Sequence, residues 1–277
     1  VVALPGAKVR WHGEGDLVEL KPTEIRGVAS EGMICAANEI GLFDAFPHGE
    51  KEILDLSQAF QMDNISFQAG QPLAEFLGVV QDVVMDIEVT TNRPDAMGMV
   101  GIAREAAAIL KRPFIWKESK MKEGKAKLSV HVAEKKFCPR FAAVRIDGVK
   151  IGPSPWWMKR RLLAAGQRPI NSAVDITNYI LLELGRPMHV FDAHKLTGDL
   201  QVRFAKVGEK IKALDGKTYE LAPHHLVVAD DQGPQSIAGI MGGEESGVTS
   251  ETTSIIFECA VWDPVYIRRA ARELNLS

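Results

Sequence analysis

The sequence predicts an α+β, multidomain protein, and three observations carry that prediction. Short β-rich runs broken by Pro and Gly fill the chain to about residue 57. An isolated strand, turn and helix pattern occupies residues 83–110, and beyond about residue 126 strands and helices alternate with hairpin and helix-stop signals. The 277 residues are long enough for two modest domains or one large one, and 46% hydrophobic residues suffice for packed cores.

In chain order, Val1–Leu4 before Pro5-Gly6, Asp16–Leu20 and Met33–Ala36 read as strands of a small barrel. Val83–Val89 reads as a strand with alternating acids that enters a helix through Thr91-Asn92-Arg93-Pro94-Asp95. Asn92 or Thr91 can cap that helix, and Pro94 and Asp95 suit its first turn. Met99, Ile102, Ala103, Ala106, Ile109 and Leu110 then repeat at three and four, an apolar packing face that ends before Pro113. Lys117–Lys136 is polar and lysine-rich, an exposed linker entering a strand at Leu128–Val132. Asp147-Gly148 and Leu214-Asp215-Gly216-Lys217 are hairpin signals. Ser154-Pro155 starts a helix closed by Gly166, and a second helix is expected from Asp175 to about Leu184. Val202–Ala205, Leu226–Ala229 and Ser254–Phe257 are the remaining expected strands.

Composition narrows the function classes. Thirty-three basic and 36 acidic residues give a net charge of −3, so affinity for nucleic acid must come from local patches. No window approaches ~18 uninterrupted apolar residues and no signal peptide opens the chain, so no membrane partner is expected and the cytoplasm is the expected compartment. Cys35, Cys138 and Cys259 lie far apart without CxxC spacing and are read as buried thiols. The start at Val1 and the stop just after a helical, basic stretch suggest a fragment of something longer.

Four runs are too polar or too glycine-rich for generic packing: Arg168–Tyr179, Gly185–Asp192, Gly239–Glu244 and Phe257–Cys259. His189 follows Pro187-Met188 in a turn and is either a buried structural histidine or a functional one. His189, Asp192 and His194 lack a convincing further ligand, so no metal is expected there, and a carboxylate site at Asp86, Glu88 and Asp95 is set aside. The glycine run lacks the Lys-Ser/Thr ending of a phosphate-binding loop and instead allows close approach of a ligand or backbone. Glu258 interrupts an apolar run, either as an outward strand glutamate or as a buried carboxylate in need of a donor. Lys159, Arg160 and Arg161, with Arg168, are candidate phosphate contacts around one helix and its exit loop. No Gly-x-Ser-x-Gly elbow or Cys/His pair points to a nucleophile.

Taken together, these runs resemble the editing region, the B3/B4 domain, of the β subunit of bacterial phenylalanyl-tRNA synthetases. The resemblance extends upstream. Lys21–Cys35 is similar to the C-terminal half of that subunit's tRNA-binding OB module, with Glu24 where the family carries a basic residue. Asn92–Asp95 with Gly101–Glu105 is similar to its small joining domain. The resemblance implies a partial OB-type barrel at 1–57, a connecting strand–helix domain and linker at 58–125, and a mixed α/β editing domain at 126–277. It implies tRNA(Phe) and the synthetase α subunit as partners, in a heterotetramer of two α and two β subunits. ATP and Mg2+ are implied for the complete enzyme and no cofactor for this chain.

In the family, the positions of Arg168, Thr177, Asn178, Pro187, His189, Gly242 and Glu258 line a pocket where tyrosine wrongly attached to tRNA(Phe) is hydrolysed. That implies tyrosine or its ester as ligand, Glu258 on the phenolic hydroxyl, and Arg168 and His189 holding the RNA 3′ end and the attacking water. The family's Thr-Asp-Ala segment would follow Ser277. Two other readings stay open: a non-catalytic RNA-binding or assembly module, and a free-standing editing protein for another mischarged tRNA.

Overall fold

A computed structural model describes residues 1–49, 52–60, 66, 68–78, 83–117, 124 and 128–276. The elements run β1 (Val2–Ala3), β2 (Lys8–Arg10), β3 (Leu17–Glu19), β4 (Thr23–Ile25), β5 (Val28–Ser30), β6 (Met33–Ile34), α1 (Leu56–Ala59), α2 (Leu73–Leu77) and α3 (Met99–Ile109). There follow β7 (Val130–Val132), β8 (Arg140–Asp147), α4 (Trp156–Ala164), α5 (Ser172–Leu184), β9 (His189–Asp192), β10 (Leu200–Phe204), β11 (Lys210–Lys212) and β12 (Thr218–Glu220). The last are β13 (Leu226–Ala229), β14 (Pro234–Ile237), β15 (Met241–Gly242), β16 (Ser254–Val261) and α6 (Pro264–Glu273). They divide into two compact units, 1–88 with 154–170 and 89–153 with 171–277.

In the first unit, β1 pairs with β6, β2 with β3 and β4 with β5, all antiparallel. Among the described residues these are three separate ribbons and no closed barrel. The core is aromatic. Phe46 stacks on Trp156 with centroids 5.5 Å apart, Phe60 packs edge-on to both Trp156 and Phe76, and the Trp156 indole N–H donates to the Leu77 carbonyl at 2.8 Å. Helix α4 turns Trp156, Met158 and Leu162 inward, which ties it to this unit across a long gap in sequence.

The second unit carries, besides the two-stranded β11–β12 ribbon, two larger sheets. One has the order β15-β14-β13-β10-β7, antiparallel except for β10 with β7; the other is β8-β16-β9, antiparallel throughout. Strand alternation assigns their faces. Phe191 and Ile256 on one face of the smaller sheet meet Leu200, Val202, Leu226 and Val228 of the larger in a shared core. Val190, Ile255 and Phe257 on the other face meet Ala173, Val174 and Ile176 of α5. Helix α5 begins three residues before the expected Asp175 because Asn171 caps it, its Oδ1 accepting from the N–H groups of Ala173 and Val174 at 3.1 Å. It ends where Gly185 takes a left-handed φ of 67°.

Several local expectations yield to longer-range contacts. Residues 83–89 form no strand, and Val83, Val84 and Met85 are exposed. The expected cap at Thr91 or Asn92 leads only to a single 3-10 turn, Pro94–Ala96: the Asn92 side chain already accepts from the Thr90 hydroxyl at 2.7 Å, and extended backbone at Gly98 interrupts the run. The helix proper starts beyond Gly98, and Met99, Ile109 and Leu110 of its expected packing face are exposed. The hairpin expected at Asp147-Gly148 is absent: β8 pairs instead with β16, and the Gly148 and Val149 N–H groups both donate to Thr253. The Leu214–Lys217 hairpin is present as β11–β12. Cys35 and Cys138 are buried as expected, whereas Cys259 is half-buried. Residues 118–123 and 125–127 of the expected linker lie outside the described residues, and its strand starts at Val130.

Candidate functional site

The site is built on β16. Eight residues, Ser254–Val261, half of them β-branched or aromatic, form the central strand of the three-stranded sheet, so Glu258 is flanked on both sides, by Ala143 on β8 and by His189 on β9. Glu258 and His189 are direct cross-strand partners, which sets their Cβ atoms about 5 Å apart on one face. That is the face turned to the inter-sheet core, beside Phe191 and Ile256. His189 was expected in a proline-shaped turn; it is instead the first residue of a strand. The His-Val-Phe-Asp alternation carried that signal, and it also places Phe191, not singled out from sequence, edge-on to the His189 ring with centroids 4.5 Å apart.

Two polar atoms in this cluster are buried without a hydrogen-bond partner, Nε2 of His189 and Oε2 of Glu258. Native interiors carry few such atoms, and each costs about 1–3 kcal/mol, so an unfilled polar pair marks a place a ligand or water can satisfy. Burial determines both protonation states. It pushes the Glu258 carboxyl up to about 7 and the His189 imidazole down to about 4. Near neutrality the imidazole is therefore uncharged, and the carboxyl lies at the midpoint of its titration.

The glycine run closes over the pair. A Cβ added at Gly242 would lie 2.2 Å from His189 Cε1, so only glycine lets β15 approach the imidazole. Gly239 is similarly covered by the Trp262 indole, and Gly243 by the Gln235 carbonyl at 2.6 Å from an added Cβ. This packing leaves no phosphate-sized cradle. ATP and Mg2+ thus find no fitting residues in the glycine run. Cys138, beside Glu258, is pushed up to about 11 by burial and by the carboxylate, which disqualifies it as a nucleophile.

The remaining expected residues lie on other elements. Thr177 is buried on α5 and donates to the Val174 carbonyl at 2.7 Å; Asn178 is next to it, half-buried. Their helix packs on the Val190/Phe257 face, opposite the Glu258–His189 face. Pro187 is exposed two residues before His189. In the first unit, Arg168 is exposed and faces Asp44 at 3.7 Å. Arg161 is exposed with its guanidinium over Trp157, and Arg160 donates to the Gly78 carbonyl at 2.8 Å. Lys159 corrects the expected cationic patch: it is buried, its ammonium donating to the Ala45 carbonyl at 3.1 Å and lying over the Phe46 ring.

Asp192 is committed locally, accepting from the His194 N–H at 2.9 Å and the Thr252 hydroxyl at 2.6 Å. Among the described residues one cluster has metal-ligand spacing, His224, His225 and Glu273. The His225 Nδ1 accepts the Ala222 N–H at 3.1 Å, so its Nε2 carries the hydrogen that Glu273 accepts. A metal at Nε2 would need the opposite tautomer, and the cluster is better suited to clamping α6.

Residues 137–277 match the family model described as the B3/4 domain. The chain is 42% identical over 275 residues to the phenylalanine–tRNA ligase beta subunit of Cereibacter sphaeroides, covering 98% of this chain and 33% of that protein. It is 44% identical over 287 residues to the corresponding subunit of Synechococcus sp. (strain JA-3-3Ab), covering 99% and 33%. The chain thus spans about a third of the length of the curated relatives it matches. A crystal structure of an N-terminal fragment of the phenylalanyl-tRNA synthetase beta subunit from Pyrococcus horikoshii matches 67% of this chain and 59% of its own at 18% identity, with a TM-score of 0.41, too distant to carry an argument.

Proposed function

Because the chain belongs to the B3/4 domain family, we propose that it is the editing portion of a phenylalanine–tRNA ligase β subunit and hydrolyses tyrosine mistakenly esterified to tRNA(Phe). The observation that carries this reading is the unfilled polar pair, Glu258 Oε2 and His189 Nε2, buried against Gly242.

The chemistry follows from what the pair lacks. A pocket built for an apolar ring rejects the same ring bearing a hydroxyl by only ~10²-fold, so a second, hydroxyl-demanding site is required for fidelity. Glu258 meets that demand. Its buried carboxylate is satisfied by a phenolic donor and left unpaired by phenylalanine. The uncharged His189 imidazole orients a water toward the ester carbonyl. Water adds to that carbon, the bond to the ribose oxygen breaks, and free tyrosine and tRNA leave. Direct attack by water needs no covalent intermediate, and the Cys138 thiol is too basic to form one.

Within this reading the first 57 residues are the remainder of a tRNA-binding OB module, 58–125 a connecting domain, and 126–277 the editing domain. Pro187, two residues before His189, borders the substrate, Thr177 and Asn178 act from the helix that packs behind the sheet and supports β9, and Arg168 and Arg161 approach the RNA. The α subunit of a two-α, two-β holoenzyme is the assembly partner. ATP and Mg2+ serve aminoacylation outside this chain.

The test is Glu258→Ala in the complete β subunit with its α partner. Discrimination between tyrosyl- and phenylalanyl-tRNA(Phe) in deacylation should fall by about ten- to a hundredfold, the worth of one charged hydrogen bond. Clear preference for the tyrosyl ester in that variant would make the carboxylate structural. No deacylation of any mischarged tRNA by the parent would favour a binding module, and activity only on a different mischarged tRNA would favour a free-standing editor.

A further inference from the structure

We propose that the outer face of α6 is a second, sugar–phosphate-binding surface for RNA, one that rests on the functional reading above but lies apart from the Glu258–His189 pair. Val265, Arg268, Arg269 and Arg272 stand at i, i+3, i+4 and i+7, a single stripe along the helix, and all four are exposed. Pro264 and Glu273 complete the shallow groove that they line.

This stripe differs from an ordinary solvated helix face in its charge pattern. Such faces intersperse acids and bases at three and four, whereas the stripe itself holds three arginines and no acid in a chain whose net charge is −3. Of the two carboxylates on this helix and its cap, Asp263 is used in the cap and the other is Glu273. It accepts from His224 at 2.7 Å and His225 at 3.2 Å, and it stands 4.0 Å from Arg269. Among the described residues Arg268 and Arg272 form no ion pair, so two of the three guanidinium charges are uncompensated.

The platform is also rigid. Asp263 caps α6 by accepting the Tyr266 N–H at 2.8 Å, and the Tyr266 hydroxyl donates to the His224 carbonyl. The Tyr266 ring packs on Phe137, and Ala270 is buried beneath the helix. Beyond its end, Leu274 and Leu276 pack onto the outer core of the larger sheet. Arginine forks held in fixed register match phosphate oxygens bidentately, and exposed Val265 offers an apolar spot for a ribose or base beside them. An RNA backbone is the polyanion that a subunit of this family would meet.

The test is the triple variant Arg268→Gln, Arg269→Gln, Arg272→Gln in the complete β subunit with its α partner, with tRNA(Phe) binding measured across a salt series. The parent's log–log salt slope should flatten by about two to three, at about 0.7–0.9 for each phosphate no longer neutralised. Low-salt affinity should fall about tenfold or more, KM for deacylation should rise and kcat at saturating tRNA should hold. Arg→Lys at all three positions should restore most of the slope. An unchanged slope in a variant whose melting is unchanged overturns the surface, as does an equally flattened slope in the Lys variant. If the parent deacylates and the slope does not move, only this surface fails. If the slope flattens but the parent deacylates nothing, the surface stands and the editing reading fails.

Discussion

Replacing Glu258 by Gln removes one of two titrations buried together, and the displaced pKa values give the consequence for stability. Burial raises Glu258 from 4.5 to about 7, so over that interval the folded chain keeps a proton that the unfolded chain has released. Its contribution is fully present below pH 4.5 and is lost as pH rises to about 7. Burial lowers His189 from 6.5 to about 4, so its contribution is present above 6.5 and is lost as pH falls to about 4. Each loss amounts to about 3 kcal/mol at its plateau. Between pH 4.5 and 6.5 the two slopes oppose each other. There the folded chain holds a neutral acid and a neutral imidazole, the unfolded chain a carboxylate and an imidazolium, and the proton count is equal. The pair therefore imposes a penalty of about 3 kcal/mol that is nearly silent in any pH scan of the parent. Single substitutions expose it. Relative to the parent, Glu258→Gln should gain about 3 kcal/mol as pH rises from 4.5 to 7, and His189→Gln should gain a similar amount as pH falls from 6.5 to 4. Urea denaturation at a series of pH values, read on a β16 peptide by pulsed hydrogen exchange, reports on the second unit alone. A pH-dependent gain below about 1 kcal/mol for Glu258→Gln, or one that appears on the acid side, would refute the reasoning.

Gly242→Ala should displace the His189 ring, because the new Cβ would lie 2.2 Å from Cε1. Thermal melting should fall by the equivalent of about 1–3 kcal/mol, and deacylation of both esters should be lost while aminoacylation by the holoenzyme persists. Lys159→Met should destabilise the first unit by about 1–3 kcal/mol, since it strips the donor from the buried Ala45 carbonyl, and should leave the salt dependence of tRNA binding unchanged. Arg168→Ala, at an exposed position, should do the reverse, lowering the salt slope by about one without moving the melting curve. Filter binding and calorimetry on the same preparations check both.

What the sequence disclosed was whatever neighbouring residues decide among themselves. The Leu214–Lys217 turn closes β11 on β12 by its own chemistry, and Gly166 and Gly185 stop their helices where left-handed backbone is needed. Contacts made across long gaps were hidden. Asp147-Gly148 has the composition of a hairpin turn, yet β8 forms eight rungs against β16 more than a hundred residues away. Helix α4 reads as one more element of the later region, but its Trp156 closes the aromatic core of the first unit. Lys159 looked like its arginine neighbours because its burial is decided by Ala45 and Phe46, far upstream. At the site, the residue types at Glu258, His189 and Gly242 stood out from sequence. Their adjacency did not, since a cross-strand register and a missing Cβ determine it.

The two members of the polar pair do not share a mechanical footing. Glu258 sits mid-strand in β16 with a neighbour on either side, whereas His189 occupies the terminal rung of β9, which is the margin of that sheet. Sheets fray from their margins, at free energies far below that of global unfolding. Glu258 is thus anchored on both sides, whereas His189 can fray with the first residues of β9. Amide protons of β9 should exchange ahead of those of β16, and the interval between them measures how unequally the two members of the pair are held.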